Sequence, residues 1–124
     1  MIVLDACVII AHFSTNDPFA SAALDILDTE EEFCLHPMTL AECLVGAHKQ
    51  GRATLMRQRL ASIGIDTWRP DAEDPYRIAE LRVTTGLKLP DCCVLSAAIA
   101  QTCTLATFDE RLLSVAHQLG VTVH

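Results

Sequence analysis

No apolar run in this 124-residue chain is long enough to cross a bilayer; the longest, Cys92–Ala100, is already broken by Ser96. The N-terminus, Met1-Ile2-Val3-Leu4-Asp5, lacks a basic leader and places a carboxylate inside its apolar run, so it does not read as a secretory signal. These absences predict a cytoplasmic protein with no membrane partner. The six cysteines form no C-x-x-C pair, which disfavours zinc knuckles and thioredoxin-type motifs. Most stand among aliphatic residues and are expected as small buried hydrophobes in a reducing compartment. The five histidines show no pair at metal-ligand spacing on one helix face and are expected to be structural or exposed. Repeats, linkers and low-complexity stretches are also missing. With 51% hydrophobic and only 20% charged residues the chain is too apolar for disorder. Residues 1–124 are expected to form one domain.

A net charge of −7 argues against binding nucleic acid by bulk electrostatics. The distribution qualifies this. Cys43–Ile65 holds no acid, while Lys49, Arg52, Arg57 and Arg59 give it +4, leaving −11 elsewhere. That basic stretch is either an ordinary solvated helix face or a surface for phosphates.

Short β-branched runs alternate with helical patterns. Strands are predicted at Met1–Leu4, Phe33–His36, Ile65–Arg69, Cys103–Ala106 and Val121–Val123. Helices are predicted over Cys7–Phe13, from Asn16 or Asp17 to about Asp28, from Thr39 to about His48, and over Arg52–Ile63, Pro75–Thr85, Asp91–Gln101 and Arg111–Leu119. Continuous apolar strands in a β–α alternation imply a parallel sheet covered on both faces. Sites in such sheets lie beyond the carboxyl ends of the strands.

Asp5 follows Val3-Leu4 directly and precedes another apolar run. A buried carboxylate there needs a pair, hydrogen bonds or a cation; a helix cap and a cation ligand are equally good readings. Thr39-Leu40-Ala41-Glu42 has the spacing of a capping box. Asp91 is placed to cap the helix that follows it, and Asp109 follows the fourth strand where a cap would stand. Asp17-Pro18 and Asp74-Pro75 read as plain caps. The Asp91 helix has no obvious solvent face, which predicts a central position. If Asp5, Glu42, Asp91 and Asp109 converge, two carboxylates about 4 Å apart repel by about 4 kcal/mol at an effective dielectric near 20. Oxygen ligands alone would suit Mg²⁺ or Mn²⁺ rather than zinc.

Ile2-Val3-Leu4-Asp5, Thr39-x-x-Glu42, Asp91 before Ser96-Ala97-Ala98-Ile99-Ala100, and Thr107-Phe108-Asp109 follow in an order that resembles the PIN domains. The resemblance is closest to the VapC-type toxin ribonucleases of bacterial toxin–antitoxin pairs and spans essentially the whole chain. It implies a PIN-like three-layer α/β/α fold with a central, mainly parallel sheet of four to five strands. It also implies a metal-dependent endoribonuclease. Asp5, Glu42, Asp91 and Asp109 match the acidic quartet; Asp5, Asp91 and Asp109 would bind Mg²⁺ or Mn²⁺, and Glu42 would bind metal or orient a water. Thr107 matches a position whose hydroxyl supports a carboxylate or phosphate. A homodimer and a small antitoxin covering the acidic pocket are implied as well. On the residues themselves, Arg52, Arg57 and Arg59 are a weak candidate RNA contact, and the apolar faces near Phe19–Leu27 and Leu55–Ile63 could meet another chain. Two departures stand out: Ala6-Cys7 replaces a frequent hydroxyl residue, and Arg111 follows Glu110 where further acids are common.

Rival classes fit less well. A phosphoacceptor receiver domain needs adjacent acids after the first strand and a lysine near the last, yet the only lysines are Lys49 and Lys88. A haloacid-dehalogenase-like phosphatase needs Asp where Cys7 stands. The remaining alternatives are a PIN-like RNA-processing nuclease that is no toxin, and a non-cleaving RNA- or protein-binding module.

Overall fold

In the computed structural model, which describes residues 1–124, Ile2–Leu4 forms the first strand (β1) with all three side chains buried. Asp5 ends it and caps α1 (Ala6–Phe13) by accepting the Ala6 N–H. The chain continues through α2 (Ala20–Leu27), β2 (Phe33–Leu35), α3 (Pro37–Lys49), α4 (Ala53–Ile63), β3 (Ile65–Thr67), α5 (Asp74–Thr85), α6 (Leu89–Gln101), β4 (Thr104–Ala106) and α7 (Glu110–Gln118). The four strands are all parallel, in the order β3-β2-β1-β4, with Val3 opposite both Cys34 and Leu105.

Strand side chains alternate between faces, and the core divides accordingly. Ile2, Leu4, Phe33 and Leu35 pack with α1, α2 and residues of α3 and α4. Val3, Cys34 and Leu105 pack with Leu81 of α5, Leu95 of α6 and Leu112 of α7. This is the expected three-layer α/β/α fold. Truncating Leu95 or Leu105, both wholly buried, would cost about 2–5 kcal/mol. As predicted, α6 is central: every residue from Cys92 to Ala98 is buried. It ends on Thr102 at φ 51°, a left-handed position that glycine would occupy with less strain. No single helix is long and apolar enough to cross a membrane.

Several local expectations are corrected. The second helix starts at Ala20, because Asp17 accepts the Phe19 N–H and holds Pro18 in a turn ahead of it. No capping box forms at Thr39–Glu42. Pro37 favours an earlier start, His36 Nδ1 accepts the Met38 N–H as the cap, and Thr39 lies inside α3 with its hydroxyl buried and unpartnered. Asp91 is no cap either, since α6 begins at Leu89 with Lys88 at the capping position. Val121–Val123 makes one parallel bridge, Leu105 to Val123, rather than a fifth strand.

Candidate functional site

Parallel pairing puts the carboxyl ends of all four strands on one rim, and Asp5 leaves the central strand β1 there. Its carboxylate is buried. Oδ1 accepts the Ala6 N–H at 2.8 Å. Oδ2 accepts the Thr107 hydroxyl at 2.6 Å and the Cys7 thiol at 3.4 Å. Thr107 follows β4 and is buried; its oxygen also accepts the Asp109 N–H at 3.1 Å. Asp109 is exposed and caps α7 through the Leu112 N–H at 2.9 Å. Asp5 and Asp109 therefore are caps, and the same hydrogen bonds fix how they face the rim.

Glu42 and Asp91 arrive from helices. Loss of the expected caps leaves both carboxylates without a hydrogen bond. Partial burial and the charges of Asp5 and Asp91 push the Glu42 carboxyl above its ordinary range. Asp91 is pushed up by partial burial and by Asp5 and Asp109, with Lys88 and Arg111 pulling the other way. The four sequence-predicted acids thus meet in one electrostatic neighbourhood. The fit to a divalent cation is one of donor chemistry and charge. No three acid, histidine or cysteine side chains stand close enough to grip one ion as they are.

The PIN domain family model matches residues 2–118. The chain belongs to the PIN domain family. No curated protein matches it in sequence. Among solved structures, a toxin–antitoxin complex from Klebsiella pneumoniae is 26% identical at a TM-score of 0.72, covering 88% of this chain and 87% of that one. VapC20 of Mycobacterium tuberculosis, a sarcin–ricin loop cleaving toxin, is 12% identical at a TM-score of 0.79, covering 93% and 95%. VapBC2 of Rickettsia felis, bound to a fragment of its promoter DNA, is 17% identical at a TM-score of 0.73, covering 100% and 98%.

None of the four acids lines the groove that holds Arg52 and Arg59. Arg52 and Arg59 line a cavity of about 190 Å³ with Ile10, Phe13, Cys43 and Leu55. The Arg59 guanidinium sits 5.9 Å from the centre of the Phe13 ring, and Arg57 is exposed. This apolar groove holds no carboxylate in its lining.

Sequence reasoning missed three features. The hydroxyl expected beside Asp5 is replaced by the Cys7 thiol, which reaches Asp5 and accepts the Phe108 N–H at 3.3 Å; a position two beyond Asp5 on a first helical turn could have signalled it. Arg111, counted only as a missing acid, instead favours the ionised form of Asp91 by its charge. Asp74, taken for a plain cap, is a buried hydrogen-bond hub with His36 and Ser96. Nothing in its Asp-Pro context distinguishes it from the partly exposed Asp17.

Proposed function

We propose that this PIN domain is a Mg²⁺- or Mn²⁺-dependent endoribonuclease and the toxin of a toxin–antitoxin pair. The observation that supports it is that partial burial and then neighbouring carboxylates raise both Glu42 (Asp5, Asp91) and Asp91 (Asp5, Asp109), with Lys88 and Arg111 offsetting only part of the latter. Such a rim takes up cations rather than phosphates until a metal is bound. Asp5, Asp91 and Asp109 would hold the ion, and Glu42 would bind it or orient a water. A bound divalent ion supplies polarisation of the scissile phosphate and a lowered pKa for the attacking water.

The chain's own contribution is orientation. Thr107 and the Ala6 N–H fix both oxygens of Asp5. Asp109 is held at the start of α7 by the Leu112 N–H, and Glu42 and Asp91 stand beside it without a fixing hydrogen bond. No protein nucleophile is required, and the Cys7 thiol beside Asp5 is pushed up to about 11 by burial and the Asp5 charge, so it stays protonated. Arg52, Arg57 and Arg59 form the proposed RNA contact.

A small antitoxin and a second copy of the chain are the proposed protein partners. The groove between α1, α3 and α4 offers an amphipathic helix an apolar floor with Arg52 and Arg59 among its lining. Phe19 and Leu24, exposed at and beside α2, offer a copy an apolar contact.

Purified protein incubated with RNA, with and without Mg²⁺ or Mn²⁺, tests the reading against an Asp5→Asn control. Cleavage that needs both the metal and Asp5 is expected. Cleavage in chelator, or by Asp5→Asn, overturns it.

A further inference from the structure

Asp5 Oδ2 accepts two hydrogen bonds, one from the Thr107 hydroxyl at 2.6 Å and one from the Cys7 thiol at 3.4 Å. A hydroxyl and a thiol each carry a single hydrogen, and both have spent it on the same carboxylate oxygen. What remains to each is its lone pairs, and these are used on neighbouring peptide groups. Cys7 Sγ accepts the Phe108 N–H at 3.3 Å, and Thr107 Oγ1 accepts the Asp109 N–H at 3.1 Å. Sγ and Oγ1 stand 3.5 Å apart, so two bridges run side by side from one carboxylate oxygen to two consecutive amides.

Cys7 owes its place to local structure. Asp5 caps α1, so Cys7 falls on the first turn of that helix, where side chains lean back towards the cap. The segment it meets, Thr107-Phe108-Asp109, joins β4 to α7. The side chains of that segment are held elsewhere. The Asp109 carboxylate accepts the Leu112 N–H at 2.9 Å, and the Phe108 ring stacks on Phe19 with centres 4.7 Å apart. The backbone between them hangs on the two acceptors, Sγ for Phe108 and Oγ1 for Asp109.

We propose that Cys7 is a positioning residue: its thiol ties the Asp5 carboxylate to the backbone of Phe108 and, in parallel with Thr107, sets where Asp109 stands relative to Asp5. This rests on the reading of Asp5 and Asp109 as partners at the acidic rim. Two bridges that share one acceptor oxygen act as a unit, since loosening either frees the carboxylate to turn away from the other. An isolated thiol hydrogen bond would concern the Phe108 N–H alone.

Amide hydrogen exchange followed by NMR separates the two cases. Cys7→Ala is expected to lower protection about tenfold at Phe108 and also at Asp109, whose N–H Cys7 does not touch. Thr107→Val is expected to lower protection reciprocally at Phe108, whose N–H Thr107 does not touch. Cys7→Ser keeps one hydrogen to donate and lone pairs to accept with, and should bring both amides back to within about threefold of wild type. Calorimetric titration with Mn²⁺ carries the same variants to the rim: affinity should fall about tenfold in Cys7→Ala and recover in Cys7→Ser. Loss of protection confined to Phe108, or unchanged Mn²⁺ affinity in Cys7→Ala, would overturn the proposal. If the wild-type protein binds no Mn²⁺, the metal reading of the rim falls by itself and protection at Asp109 alone decides whether Cys7 positions it. Should Cys7→Ala fail to fold, the Thr107→Val measurement decides the coupling in a chain whose Cys7 is intact.

Discussion

Thr107 donates its hydroxyl to Asp5 Oδ2 at 2.6 Å across 102 residues of sequence, and its own Oγ1 accepts the backbone N–H of Asp109. One side chain therefore orients two of the four acids. Thr107→Val preserves shape and removes both bonds. It should lower RNA cleavage by about 10–100-fold and stability by about 1–3 kcal/mol through the newly unpaired, largely buried groups. Kinetics and urea unfolding on the same preparation check it. A variant within twofold of wild type in both would remove Thr107 from its role.

Metal binding to the folded rim alone should raise the melting temperature. At a free concentration about one hundred times Kd the gain is about 2.7 kcal/mol. Differential scanning fluorimetry with millimolar Mg²⁺ or Mn²⁺ is expected to show the shift in wild type and to lose it in Asp5→Asn. No shift at any metal concentration would count against an ion site.

Asp91→Asn should stabilise the metal-free protein. The folded state pushes the Asp91 carboxyl upward, through partial burial and then Asp5 and Asp109. Folded protein therefore holds this proton more tightly than unfolded chain does. The stability tied to the protonated form is complete below the unfolded-state pKa near 3.8 and is lost as pH rises through the higher folded value. At pH 7 the variant should melt about 1–3 °C higher than wild type, a modest gain because the group is only partly buried. Towards pH 3.5 the difference should vanish. A pH-independent gain would mean that repulsion is not its source.

Replacing Arg52, Arg57 and Arg59 by Ala should weaken RNA binding and reduce the slope of log K against log salt by about one per phosphate contact removed. Fluorescence anisotropy at several salt concentrations reads this directly. An unchanged slope would return the stretch to an ordinary surface and leave Arg52 and Arg59 to the groove.

The cysteines should be inert in the folded protein. Burial, joined by nearby acid charges, pushes Cys43 up to about 12 and both Cys7 and Cys93 up to about 11. Alkylation by iodoacetamide at pH 8 should therefore be slow for these three and rapid for all six in denaturant. Fast native labelling of Cys43 would show that α3 opens.

The legible parts of the sequence were those where one residue type has one physical use. Val3, Leu4 and Leu35 announced strands buried on both faces, and the apolar Cys92–Ala98 run announced a central helix. Asp5 and Asp109, directly after strands, pointed to the rim. Capping was less legible. Ser, Thr, Asp and a well-placed His satisfy helix ends equally well, so nothing local reveals that His36 displaces Thr39 or that α6 starts before Asp91. Those two misplaced caps turned out to matter, because they leave Glu42 and Asp91 unbonded. Asp74 was illegible for another reason: its partners lie 38 and 22 residues away, and only the packing of α5 on α6 brings them together.

The two rims of the sheet along its strands end differently. Beside β4, the Leu105 N–H and C=O are taken by Thr122 and His124. On the other side, β3 is three residues long and turns the exposed carboxylate-bearing Asp66 and exposed Thr67 outward. Neither border offers a long, flat, greasy template for a stray strand, so lateral growth into aggregates is discouraged at both margins.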